Sequence, residues 1–256
     1  NKKYHIFNEP YTKEEYEKKL KEFRLDSYAS IQEIKSRVYK FWATIPHKFS
    51  HERHNVNVSG DYVYESKNAH FVYQGRYIEN SKFIQFINLA SVKDAYDYTE
   101  WGMGAQRIFD AITTGMQADN IRFSSGVWDS CMNVEYSIYN VSCSNMFGCV
   151  NMHKNQYCIL NKQYTKEEYE KLLVRIIDDL NRKPYIDSRG RIFKYGEFLP
   201  YDLSPYDYNE STASWYFPLS KESVLEKGWR WWEPTPLPYK STMKPEDIPD
   251  SINDVR

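Results

Sequence analysis

No apolar run in this chain reaches 18 residues, which excludes a membrane-spanning helix. Charge is nearly balanced, 34 basic against 35 acidic residues, so nothing draws the whole molecule to nucleic acid or anionic lipid. Gly and Pro stay at 10 and 11 of 256 residues, too few for a low-complexity chain. There is no Gly-rich phosphate loop, no HExxH, no GxSxG and no CxxC, so no motif asks for a cofactor or a zinc ion. The chain opens at Asn1 rather than Met, which fits removal of a leading segment. The N-terminus therefore does not reveal the compartment, and the cytoplasm is the default expectation.

What the sequence has is aromatics, 17% of residues with 23 Tyr, arranged as a weak repeat of about thirteen residues. An anchor, usually Asn, precedes an aromatic by two or three positions. The anchors Asn68, Asn80, Lys93, Gln106, Asn120, Asn133, Asn145 and Asn155 lead to Phe71, Phe83, Tyr96, Phe109, Phe123, Tyr136, Phe147 and Tyr157. They step by 12, 13, 13, 14, 13, 12 and 10 residues. A fixed period means stacked units that bury their apolar faces against one another. Alternating aromatic and polar positions broken by Asn, Ser and Gly read as short strands, so residues 55–160 are expected to form a mainly β, parallel β-solenoid (β-helix) with short coils. Repeated Asn suits an amide ladder at a turn. An antiparallel sandwich of short strands is the competing architecture.

A second repeat brackets the first. Tyr4-His5-Ile6-Phe7-Asn8 and Tyr11-Thr12-Lys13-Glu14-Glu15-Tyr16 match Tyr157-Cys158-Ile159-Leu160-Asn161 and Tyr164-Thr165-Lys166-Glu167-Glu168-Tyr169. In both, Thr as N-cap with Glu at N3 makes a capping box ahead of an amphipathic helix. The expected organisation is an N-terminal helical cap over 1–54, with a helix around Ile31–Trp42, then the solenoid, a capping helix over 161–182, and a Pro- and aromatic-rich extension over 183–256 packing on the solenoid. Within the extension, Ser220 and Gly228 bound a short helix, a second lies between Asn209 and Pro218, and 233–238 runs extended.

Few residue groups could carry chemistry. Asp97 and Asp110 each follow an anchor by four residues and should stack on adjacent coils, roughly 5 Å apart, a spacing at which a retaining glycosidase sets its carboxylates. Tyr96, Tyr98 and Trp101 lie alongside as sugar-stacking side chains would. The plainer reading is solvated or calcium-neutralised turn carboxylates. His47, His51 and His54 form a weak metal candidate if helical, against a simple surface cluster. Trp229, Trp231 and Trp232 would suit a stacking platform, or anchors into a host surface. Cys131 and Cys143 should stack on adjacent coils as buried thiols, with a disulfide as the other option. Arg122 and Glu135 should pair across coils.

The strings Tyr157-Cys158-Ile159-Leu160-Asn161-Lys162-Gln163-Tyr164-Thr165-Lys166-Glu167-Glu168-Tyr169, Tyr208-Asn209-Glu210 and Tyr216-Phe217-Pro218-Leu219 resemble an uncharacterised family from uncultured bacteria. The resemblance covers roughly residues 66–253. It implies a Cys-rich solenoid continuing into zinc-ribbon-like modules, and no assigned activity; here most of those Cys positions hold other residues. The functional expectation is a non-enzymatic scaffold with a rigid binding surface for an unknown protein or glycan partner. The alternatives are a carbohydrate-active enzyme using Asp97 and Asp110, and nucleic-acid binding through the N-terminal residues 1–54, which carry 12 basic and 8 acidic side chains.

Overall fold

The computed structural model describes residues 3–89, 91–233, 235, 238 and 243–255. It divides into two units, Asn1–Lys48 with Pro234–Arg256, and Phe49–Glu233. The second unit is a parallel β-solenoid of about nine turns. Its strands run in order: β3 (Glu52–Arg53), β4 (Val56–Tyr64), β5 (Lys67–Arg76), β6 (Ile78–Leu89), β7 (Val92–Lys93), β8 (Tyr96–Gly102), β9 (Phe109–Gly115), β10 (Asp119–Ser125), β11 (Met132–Glu135), β12 (Ser144–Phe147) and β13 (Gln156–Ile159). Every neighbouring pair is parallel up to β13.

The coil closes because the chain turns at every third residue. Ala69, Val72, Gly75, Ile78, Ser81 and Ile84 are buried at steps of three. Between them Phe71, Gln74, Tyr77, Asn80 and Phe83 take φ of 56°, 62°, 55°, 47° and 58°. Each triplet thus has one inward residue, one outward residue and one left-handed corner, and four triplets complete a turn. Left-handed backbone costs an ordinary residue roughly 1–2 kcal/mol, and Asn tolerates it best. That preference accounts for Asn57, Asn68, Asn80, Asn120, Asn133 and Asn145 lying along one corner. Coil length varies: Glu52 pairs with Val63, Lys67 with Glu79, Lys82 with Tyr96, Tyr96 with Phe109 and Met132 with Ser144.

Inward hydroxyls and thiols tie the coils together. Ser66 Oγ donates to Tyr64 O (2.8 Å) and accepts from the Ile78 N–H of the next coil (3.0 Å). Ser81, Ser124 and Ser137 repeat the device. Cys143 donates to Val141 O, and Cys131 Sγ accepts from the Cys143 N–H (3.2 Å), so these stacked thiols do the work of serines. All four cysteines are free and buried. Burial pushes the Cys131 thiol up to about 11.

A hairpin and a helix follow the last coil. Strand β14 (Lys162–Gln163) turns back antiparallel on β13, and helix α3 (Lys166–Arg182) follows through the Thr165 capping box. Tyr169, Leu172, Leu173 and Ile176 pack on Phe147 and Ile159, covering the apolar end that an open solenoid would expose. Beyond it, the β15–β16 hairpin (Tyr185–Ile186, Ile192–Phe193) leads to helices α4 (Ala213–Tyr216) and α5 (Lys221–Glu226), which lie where the sequence placed them.

In the first unit, β1 (Tyr4–Ile6) and β2 (Glu9–Tyr11) form a hairpin ahead of α1 (Lys13–Glu22) and α2 (Tyr28–Trp42). Asp26-Ser27 and Asp250-Ser251 bind each other reciprocally. Ser27 Oγ donates to Asp250 (2.5 Å), Ser251 Oγ donates to Asp26 (2.7 Å), and Asp250 also accepts from the Ala29 N–H at the start of α2 (2.7 Å). The extension expected over 183–256 is therefore divided, since residues 250–252 bond to the N-terminal helices. Half of the segment expected to run extended over 233–238, namely 234, 236 and 237, lies outside the described residues. No described helix is long and apolar enough to cross a membrane.

Candidate functional site

One edge of the solenoid carries an unbroken column of rings. Phe71, Phe83, Tyr96, Phe109, Phe123, Tyr136 and Phe147 touch in succession, with centroids 5.1, 5.2, 5.5, 5.4, 4.8 and 5.5 Å apart. These separations lie in the favourable range for stacked and edge-to-face pairs. The left-handed corner under this column holds Phe71, Phe83, Asp97, Asp110, Phe123, Tyr136 and Gly148. Where the corner is Asp, the ring comes from the residue before it, Tyr96 or Phe109, and the column continues without a gap.

Beside the rings runs the asparagine corner. Asn57 donates to Asn68 (3.0 Å), Asn68 to Asn80 (3.3 Å), Asn120 to Asn133 (2.7 Å) and Asn133 to Asn145 (3.2 Å). Asp94 and Arg107 occupy this corner in the middle coils, one residue beyond the anchors expected at Lys93 and Gln106. The 14-residue step from Ile78 to Val92 causes the offset. Between the two corners lies a shallow groove of about 420 Å³ lined by Asn68, His70, Asn80, Lys82, Asp94 and Tyr96. It offers amide donors and acceptors, a cation, a carboxylate and the side of the Tyr96 ring along one line.

The chain itself covers the far end of the column. Tyr195 packs against Tyr136 (6.1 Å) and donates to Glu135 (2.7 Å), which also accepts from Arg122 across the coils (2.5 Å). The Gly196 N–H donates to the Tyr136 hydroxyl, which in turn donates to Glu197 O, both at 3.0 Å. Burial, with the Glu135 carboxylate second, pushes the Tyr195 phenol up to about 12. Next to this cover is an apolar cavity of about 350 Å³, with Phe147, Leu160, Leu180, Phe193 and Phe198 among its walls.

The structure gathers some of the sequence-predicted residues and separates others. Asp97 and Asp110 occupy matching places on adjacent coils, since Tyr96 pairs with Phe109. Burial, then the neighbouring Asp97, raises the Asp110 carboxyl above the ordinary range. Tyr96 is exposed on the column, and Trp101 lies half-buried over Gly115, where a Cβ would come within 2.5 Å of its ring. Tyr98 is a correction: it points into the core above Ala111, fully buried, its hydroxyl donating to Thr114 O, so it cannot stack on a ligand. Trp229 is a second correction, because within the extension its ring stacks on Tyr208 (5.4 Å) and meets Tyr201 at a tilt (5.3 Å). Trp231 is half-buried, and Trp232 is exposed but its backbone N–H donates to the Asn209 side-chain oxygen while its carbonyl accepts from the Asn209 side-chain amide.

The histidines are a third correction. Residues 47–54 are not helical, and the three rings have separate partners. His47 contacts Trp42 O (2.6 Å), His51 contacts Asp61 (3.1 Å) and stacks on Tyr62, and His54 contacts Glu65 (2.9 Å). Among the described residues no three His, Cys, Asp or Glu side chains gather as metal ligands would. Sequence reasoning missed the groove residues His70 and Lys82 and the cover at Tyr195. The signal available for the first two was their fixed place one residue before a column aromatic. No family model matches the chain, and no curated protein or solved structure matches it either.

Proposed function

We propose that this protein is a non-enzymatic β-solenoid scaffold that binds an extended partner, a polypeptide or a glycan, along the bare stretch of its aromatic column. The observation that carries the reading is the mismatch between column and cover. The rings run in contact from Phe71 to Phe147, while among the described residues the Tyr195 cover lies at the end around Tyr136. Phe71, Phe83 and Tyr96 thus keep aromatic surface open to solvent, with Lys82 Nζ over the first two rings, and the Asn68–Asn80 amides beside them offer donors and acceptors. Rings suit the apolar faces of sugars or the side chains of an extended peptide, and amides suit their hydroxyls or backbone. A rigid ladder holds both sets at a coil spacing of about 4.8 Å, so little ordering cost falls on the protein.

The test is binding to an array of oligosaccharides and extended peptides by the parent and by Phe83→Ala/Tyr96→Ala. Loss of a parent signal in the double variant, with its melting curve kept, supports the reading; binding that survives the change rejects it.

A second reading, a carbohydrate-active enzyme, rests on the stacked Asp97 and Asp110 and the raised Asp110 carboxyl. That pair could share a proton as an acid and its partner do. Turnover of an arrayed glycan that Asp97→Asn abolishes would favour the enzyme, and turnover unchanged by it would remove this reading.

A further inference from the structure

The two copies of the YxIxN…YTKEEYEK string fold alike. Phe7 and Asn8 take φ of 48° and 65°, and Leu160 and Asn161 take 49° and 64°. Ile6 pairs with Glu9 and His5 with Pro10, as Ile159 pairs with Lys162 and Cys158 with Gln163. Thr12 and Thr165 each close a capping box, with ψ of 166° and 162°. Tyr4 meets Tyr16 at 5.3 Å, and Tyr157 meets Tyr169 at 5.8 Å. Hairpin, turn, cap and ring contact are the same object made twice.

The copies differ in what lies on the first strand. In the second copy β13 is seated on β12 through Met146–Cys158 and Phe147–Ile159, which buries Ile159 and Tyr169. In the first copy β1 pairs only with β2 among the described residues. Ile6 and Tyr16, the counterparts of Ile159 and Tyr169, are only half-buried, and neither α1 nor α2 has a buried residue. A cavity of about 320 Å³ opens there, lined by Ile6, Phe7, Tyr16, Leu20, Phe23 and Phe41 among others.

We propose that residues 4–23 are a solenoid end-cap and that the free edge of β1 receives the last coil of another β-solenoid by parallel strand addition. The occupant's chemistry is set by the seat in the same chain: a strand like Ser144-Asn145-Met146-Phe147, with an aliphatic residue facing inward and a ring toward the helix. A second copy of this chain cannot supply it, because its own terminal coil already carries β13. His5 is the departure from the template. It stands where Cys158 is fully buried, so the received coil needs a small or polar residue against it.

The experiment is a full-length chimera in which residues 157 and 159–176 take the sequence of residues 4 and 6–23, Cys158 being kept. Its control is the same chimera with Ile159→Asp. Thermal melting by far-ultraviolet circular dichroism should give a cooperative β transition within about 5 °C of the parent, with the control far lower. A chimera that aggregates, loses its β signal or melts with the control overturns the proposal. In the parent chain, Ile6→Asp should lower the midpoint much less than Ile159→Asp. Equal losses would mean that the β1 face is already used within the chain, and would overturn it as well.

Discussion

Phe71, Phe83 and Tyr96 stand at one end of the ring column with 47%, 37% and 40% of their surface exposed, whereas Phe123 and Phe147 at the other end keep 5% and 8%. Both ends share the parallel ladder, the left-handed corners and the ring-to-ring contacts. What separates them among the described residues is what lies on the far end: α3 packs on Phe147 through Tyr169, and the segment around Tyr195 lies against Tyr136 and Glu135. Beneath both ends lie the ladder and the inward column of small and branched residues, and at the exposed end Lys82 Nζ sits over Phe71 and Phe83, 5.6 and 4.7 Å from the ring centres.

Truncating one ring at each end should have the largest and most unequal effects. Phe123→Ala should cost about 3–5 kcal/mol in urea unfolding, as loss of a buried Phe does, and Phe83→Ala about 1 kcal/mol, since water already reaches that ring. Equal losses would erase the distinction. Next in size is Tyr195→Phe, which leaves Glu135 with one bond fewer in a nearly buried site. It should cost about 1–3 kcal/mol. A Tyr195→Phe variant as stable as the parent would mean the cover is incidental.

The smallest effect concerns Asp110, in the middle of the column. Its folded value lies above the ordinary one, so it binds protons more readily folded than unfolded. By linkage its contribution favours the fold below the unfolded value and is lost as pH rises through the folded value. Asp110→Asn should therefore raise the melting midpoint slightly at pH 7 and leave it unchanged at pH 3. A lowered midpoint at pH 7 would instead mark the carboxylate as a needed partner.

The solenoid was legible because large rings recur where coils meet, and a column of Phe and Tyr survives small errors of register. The triplet was not, since its inward positions hold Ser81, Gly75, Thr114, Asn140 and Cys143 as well as Ile84 and Val72, and the small polar ones hide an apolar period. The register slipped at Lys93 and Gln106 because a longer coil absorbs its extra residues without any mark in composition. Asp97 and Asp110 still came together, since both anchors slipped equally. Tyr98 was misplaced because a Tyr beside other aromatics reads as surface, while the small Ala111 on the next coil makes room for it inside. The cover at Tyr195 joins residues 60 apart in sequence, and no local pattern announces such a contact.

Hydroxyl-radical footprinting, read ring by ring by mass spectrometry, tests the central contrast most directly. Phe71, Phe83 and Tyr96 should oxidise several times faster than Phe123 and Phe147, and Tyr195→Ala should speed oxidation at Tyr136 without changing Phe71. Uniform oxidation along the column, in the parent chain, would contradict a surface that is bare at one end and covered at the other.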